Sequence, residues 1–195
     1  MKDIDAELYE KYANICGVDE AGRGPLAGPV FAAAVILPRG FELPGLNDSK
    51  KLTEKKREAL FDLIRESALA YSVASASERE IDEINILNAT YLAMNRAIEG
   101  LAVKAELALI DGNRSDGISL ANWTVVGGDG IYSCIAAASI LAKVSRDRFM
   151  LEMAARYPEY AFEKHKGYGT KLHYERLREH GPSEIHRLTF LKKMH

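Results

Sequence analysis

The sequence predicts one α/β domain closed by a C-terminal helical segment. Short apolar runs of strand length recur between segments with helical spacing, and several of those runs end in an acid. The 195 residues, 47% of them hydrophobic, suffice for one buried core and leave no room for a second full domain.

Taken in order, Ile15 to Val18 is a strand-length apolar run that leaves Asp19 and Glu20 at its end, pointing to opposite sides. Val30 to Leu37 is a second such run, rich in Ala and Val, and the Gly/Pro stretch between the two reads as a turn. Thr53 to Ala68 has helical spacing, with Leu60, Leu63 and Ile64 on one face and Lys, Arg and Glu on the other. Ala70 to Ala76 is a third strand. Ser77 and Glu80 form a capping box that opens a helix to about Leu101, whose apolar face carries Ile81, Ile84, Leu87, Tyr91, Met94 and Ile98. Leu107 to Asp111 is a strand ending in an acid, and Trp123 to Val126 is another, followed by Gly127-Gly128-Asp129. Ile131 to Tyr157 reads as one long helix or two joined ones ending before Pro158. Lys171 to His180 is a last helix, closed by Gly181-Pro182.

Composition excludes several classes. The charged N-terminus has no signal-peptide core, and no apolar run reaches the roughly 18 residues of a membrane span, so a cytoplasmic protein without membrane contact is expected. Cys16 and Cys134 lie far apart and read as buried small hydrophobes. The net charge of −2 is low for a nucleic-acid binder, but residues 160–195 hold eight Lys or Arg against four Glu, a locally basic end that is either a binding face or a solvated one. Gly22, Gly24 and Gly28 are one residue too widely spaced for a dinucleotide fingerprint, and Pro25 and Pro29 interrupt the helix it must open.

The chemistry concentrates in Ile15-Cys-Gly-Val-Asp19-Glu20-Ala-Gly22-Arg23-Gly24-Pro25. Here two carboxylates run into a glycine-bracketed arginine whose backbone can approach a phosphate or a sugar hydroxyl. Asp19/Glu20, Asp111 and Asp129 each follow an apolar run, so neighbouring strands could gather them. Four clustered carboxylates repel one another unless divalent ions compensate, and oxygen-only ligands favour Mg²⁺ or Mn²⁺ over zinc. The five His show no zinc-ligand spacing. Asp111-Gly112 taken alone is equally a simple turn acid.

Five segments, in order, resemble the motifs of ribonuclease HII, the bacterial type 2 ribonuclease H. They are the Asp19-Glu20 segment, Asn47-Asp48-Ser49-Lys50-Lys51-Leu52, Ile110-Asp111-Gly112, the helical stretch Ala137 to Asp147, and His165-Lys166-Gly167-Tyr168-Gly169-Thr170. The resemblance implies a ribonuclease H-like fold, a central mixed β-sheet flanked by helices, with residues 1–157 as the catalytic domain. Residues 158–195 are then a helical substrate-binding segment packed on it. It implies that Asp19, Glu20, Asp111 and Asp129 hold two divalent ions, which activate a water for in-line attack on phosphorus and stabilise the leaving 3′-oxygen. One departure stands out: the family usually has Lys two residues before the fourth acid, where this chain has Gly127. Asp147 is a helix-surface or network acid and the weaker alternative ligand. By the same resemblance Gly22, Arg23 and Gly24 read the 2′-hydroxyl and its adjacent phosphate, and Tyr168 stacks on the following sugar. Lys50, Lys51, Ser139, Lys143, Arg146 and Lys166 are candidate substrate contacts. Lys143 and Arg146 are equally readable as a solvated stripe, and Tyr168 as a loop aromatic packed on the core.

The implied activity is an endonuclease on the RNA strand of RNA/DNA hybrids. It cuts 5′ to ribonucleotides, including single ones misincorporated in duplex DNA, and leaves 3′-hydroxyl and 5′-phosphate ends. Two rivals are a two-metal nuclease or phosphatase indifferent to the 2′-hydroxyl, and a hybrid-binding module without catalysis. The chain is expected to act as a monomer. Its end, with Leu188, Phe190 and Leu191, reads as a packed tail or a segment recruiting a replication clamp.

Overall fold

In the computed structural model, which describes residues 3–41 and 52–192, the alternating segments form one five-stranded sheet flanked by helices. The strands are β1 (Ile15–Ala21), β2 (Val30–Ile36), β3 (Ala70–Ala76), β4 (Leu107–Asp111) and β5 (Asn122–Val125), in the order β3-β2-β1-β4-β5. β3, β2 and β1 pair antiparallel, whereas β1, β4 and β5 pair parallel, so the sheet is mixed. The helices are α1 (Ala6–Lys11), α2 (Glu54–Ser67), α3 (Glu78–Glu99), α4 (Ser133–Arg156), α5 (Phe162–His165), α6 (Lys171–His180) and α7 (Leu188–Leu191).

Two apolar layers sandwich the sheet. Leu60, Phe61 and Ile64 of α2 and the first half of α4 pack against Ile15, Ala33, Val35, Leu107 and Leu109 on one face. Ala89, Ala93, Met94 and Ala97 of α3 pack against Cys16, Val18, Ala32, Ala34 and Ile110 on the other. This alternation along β1, β2 and β4 is the period-two pattern of a sheet covered on both faces. The sequence of α4 explains how close it sits: Ala136, Ala137 and Ala138 are small, and Gly17 of β1 has no Cβ. A Cβ built at Gly17 would lie 2.3 Å from the Cys134 carbonyl carbon, so the start of α4 rests directly on the β1 backbone. A third apolar cluster joins Tyr160, Phe162, Leu177 and Ile185 to Met150 of α4 and to Leu26 and Ala27 of the β1–β2 turn.

Several expectations need correction. β1 continues through Asp19 and Glu20 to Ala21, because β2 keeps pairing with it there. The face of α2 buries Phe61 in place of Leu63, which is exposed. α3 is broken at Asn85 (φ 68°, ψ 164°), whose Oδ1 accepts from the backbone N–H groups of Leu87 and Asn88 and caps the second half. That break leaves Ile84 exposed. The short α1, α5 and α7 were not foreseen; four to six residues are too few for a periodic signal. Cys16 and Cys134 are free and buried, and burial pushes both thiols up to about 12. No helix among the described residues is long and apolar enough to cross a membrane.

Candidate active site

The β1–β4 register builds the acidic centre. Val18 pairs with Ile110, where the parallel ladder ends, so the next residues, Asp19 and Asp111, emerge side by side from adjacent strands. Asp19, Glu20 and Asp111 line a cleft of about 400 Å³ together with Ala21, Gly22, Arg57, Ser139, Lys143, Arg146 and Tyr168. Asp19 is buried and accepts hydrogen bonds from the Glu20 backbone N–H at 2.7 Å and from the Ser139 hydroxyl of α4. Burial, and then the neighbouring Glu20 charge, push its carboxyl well above the usual range. The Ser139 hydrogen bond opposes this and Asp111 adds to it. Glu20 is also raised, first by burial and further by Asp111, with Arg23 pulling the other way across a 3.5 Å contact.

Asp111 is aimed from behind: its Oδ1 accepts from the Gly128 N–H at 2.7 Å. Gly127 starts this 3₁₀ turn, Gly128–Gly130, in the left-handed region at φ 66°. Asp129 therefore sits on a turn, three residues beyond the expected strand end. It is buried there, and it is not among the residues lining the cleft. The donor set is all oxygen and mutually repelling, which fits a hard divalent cation. Among the described residues no three His, Cys, Asp or Glu form a set that could hold an ion in this arrangement.

Opposite the acids, the turn after β1 meets the loop after α5. Gly22 has φ +97°, and a Cβ there would lie 2.1 Å from Arg146 Nε, so only glycine fits. A Cβ on Gly24 would lie 3.9 Å from Tyr168 Cε1, which faces the turn towards the tyrosine ring.

A family model described as ribonuclease HII matches residues 16–194. Ribonuclease HII of Endomicrobium trichonymphae is 60% identical over 189 residues, covering 96% of this chain and 90% of the relative. That of Caldicellulosiruptor bescii is 56% identical over 187 residues, covering 96% and 91%. The chain belongs to the ribonuclease HII family. The crystal structure of ribonuclease H2 from Pyrococcus horikoshii OT3 superposes with a TM-score of 0.73 at 28% identity, covering 90% of this chain and 93% of that one. Membership makes the chain a metal-dependent endoribonuclease acting on the RNA of RNA/DNA hybrids, with a ribonuclease H-like fold.

Within this ribonuclease HII frame the other expected residues divide. Ser139, Lys143 and Tyr168 line the cleft, and Lys143 is tied to Asp147 at 2.7 Å one helical turn on. Arg146 reaches the cleft floor but is fully buried, donating to the Ala27 and Pro29 carbonyls beneath the Tyr168 ring. That geometry makes it a brace for the turn, a role not foreseen. Lys166 bonds the Glu163 carbonyl and is not among the cleft-lining residues. Lys50 and Lys51 lie outside the described residues. Arg57 was missed: it lines the cleft from the charged face of α2, which in sequence looks like any solvated helix face.

Proposed function

We propose that Asp19, Glu20, Asp111 and Asp129 together hold two divalent cations, Mg²⁺ or Mn²⁺, and that the chain cuts on the 5′ side of a ribonucleotide, including one isolated in duplex DNA. The products are a 3′-hydroxyl and a 5′-phosphate. The observation that carries this reading is the pairing of Val18 with Ile110, which sets Asp19 beside Asp111 in a cleft whose other wall is the Gly22 turn and Tyr168. When bound, such cations lower the pKa of a coordinated water and offset charge on the leaving 3′-oxygen.

The chain's own residues hold and orient. Asp19 and Glu20 stand raised by burial and then by neighbouring acids, Glu20 and Asp111 for Asp19 and Asp111 for Glu20, which a cation relieves. Ser139 keeps Asp19 aimed, the Gly128 N–H does the same for Asp111, and Asp129 completes the set from the turn one residue on. Lys143 and Arg57 meet strand phosphates across the cleft, where charge positions a nucleic acid without reading it. Gly22, Arg23 and Gly24 read the 2′-hydroxyl, which RNA has and DNA lacks, and Tyr168 stacks on the next sugar. Two duplexes test the reading in Mg²⁺ and in Mn²⁺: one with a single ribonucleotide, one all DNA. The first should be cut once, 5′ to the ribonucleotide, and the second not at all. Equal cutting of both would point to a nuclease indifferent to the 2′-hydroxyl, and no cutting to a binding module.

A further inference from the structure

Two consecutive residues near the C-terminus reach, from behind, the backbone of both loops facing the acids. Arg187 is fully buried, and no hydrogen bond from its guanidinium to a carboxylate is among those found in the described residues. Its Nε and Nη2 donate to the Gly28 carbonyl at 2.9 and 2.7 Å, Nη2 to the Gly22 carbonyl at 2.6 Å, and Nη1 to the Arg23 carbonyl at 2.8 Å. In a planar trans peptide the C=O of one residue and the N–H of the next point opposite ways. With the Gly22 and Arg23 carbonyls drawn onto Arg187, the N–H groups of Arg23 and Gly24 are turned to the open side of the turn. Burying a guanidinium is costly, and an apolar residue could not fix those carbonyls.

His186 reaches the other loop through a relay. Its Nδ1 accepts from the Ser183 backbone N–H at 2.8 Å, so the neutral ring carries its proton on Nε2. That Nε2 lies 2.9 Å from His173 Nε2, and His173 Nδ1 lies 2.9 Å from the Tyr168 carbonyl. One tautomer of each ring satisfies the whole chain: His186 donates to His173, and His173 donates to Tyr168. The strand-like segment that carries both residues is stitched in place. Gly28 N–H bonds the Ile185 carbonyl at 2.8 Å, Arg187 N–H the Leu26 carbonyl at 2.9 Å, and Asp82 of α3 accepts from the Leu188 and Thr189 N–H groups at 2.8 and 2.9 Å.

We propose that His186 and Arg187 are the positioning residues for ribose recognition: Arg187 sets the Gly22-Arg23-Gly24 turn, and His186, acting through His173, sets the backbone of Tyr168. The inference rests on the reading that this turn and Tyr168 recognise the ribonucleotide. Neither residue touches substrate; both act by fixing what does.

The test measures kcat and KM on the single-ribonucleotide duplex for Arg187→Lys, His186→Phe, His186→Gln and Tyr168→Ala, at a temperature where circular dichroism shows each folded. Leu101→Ala, a core truncation before the far end of β4, serves as a control for destabilisation alone. Lys keeps the charge of Arg187 but lacks its fork. Arg187→Lys and His186→Phe should each lower kcat at least tenfold with KM changed less than threefold. His186→Gln, whose amide can donate to His173, should recover most of the rate, and Leu101→Ala should stay within twofold of the unmodified chain. If Tyr168→Ala is slow while Arg187→Lys and His186→Phe behave like Leu101→Ala, the positioning role is overturned and ribose reading stands. If Tyr168→Ala itself leaves the rate unchanged, the reading beneath it falls. Should Arg187→Lys not fold, the contrast between His186→Phe and His186→Gln decides alone: equal rates contradict the proposal.

Discussion

The two walls of the cleft are built on opposite electrostatic terms. On the sheet side, Asp19, Glu20 and Asp111 crowd together, and burial and repulsion raise Asp19 and Glu20. On the loop side, backbone carbonyls take up the N–H groups of Arg187, His165 and His173 and those of Arg146 Nε and Nη2, His186 donates to His173, and Arg146 Nη1 is buried without a hydrogen-bond partner among the described residues. The acidic wall is unfavourable until something positive enters it, whereas the loop wall pairs nearly all of its own polar groups. The difference teaches a division of labour: one wall is poised to bind a cation, and the other spends its polar groups on holding a shape.

The largest effect should come from breaking the acidic wall. Asp111→Asn keeps the shape but removes a charge that a cation needs, so cleavage should fall by about 10²–10³-fold or more, while circular dichroism shows the fold intact. Asp129 sharpens the same point from its turn. Asp129→Asn should slow metal-dependent cleavage far more than Asp147→Asn, since Asp147 is already engaged with Lys143; the reverse order would move the fourth ligand to α4.

Breaking the loop wall should cost less. Stacking on nucleic acid is worth about 1–3 kcal/mol per contact, so Tyr168→Ala should slow cleavage at a single ribonucleotide by about tenfold, and Tyr168→Phe should keep most of it. Tyr168 is 43% exposed and lines the cleft, so removing its ring should leave the melting temperature nearly unchanged. A clear drop in melting temperature, with equal losses on long hybrids and on single ribonucleotides, would return Tyr168 to a packing role.

The smallest effect is on stability, and it has opposite signs on the two walls. Burial lowers His173 and His186 to about 4, against an unfolded value near 6.5. The unfolded chain therefore binds more protons between those values, and this contribution to stability is lost as pH falls from about 6.5 towards 4. Asp19 and Glu20 are raised, so their contribution is present at low pH and lost as pH rises through their folded values. Melting curves of Asp19→Asn should accordingly show a steeper loss of stability on acidification than the unmodified chain. A shallower one would reverse the sign assigned to the acidic wall.

The parts of this site that could be read in sequence are those whose signal is local. Asp19, Glu20 and Asp111 directly follow apolar runs, and the Gly22-Arg23-Gly24 turn announces itself by composition. Asp129 was readable as an acid after an apolar run but not as a turn residue, because β5 stops at Val125 and the Gly127 left-handed start redirects the chain. The break at Asn85 hid within an unbroken helical periodicity. Arg57, His173, His186 and Arg187 carried no readable signal. Arg187, for instance, bonds carbonyls 159 to 165 residues away, and in sequence it is one more cation in a basic tail.

The division of labour is tested most directly by following cleavage of the single-ribonucleotide duplex across a range of Mn²⁺ concentrations for the unmodified chain, Glu20→Gln and Tyr168→Ala. Glu20→Gln should shift the half-saturating Mn²⁺ concentration upward by at least several-fold, while Tyr168→Ala should lower the plateau rate and leave that concentration where it was. A Mn²⁺ midpoint that moves with Tyr168→Ala, or one that stays fixed in Glu20→Gln, would contradict the account.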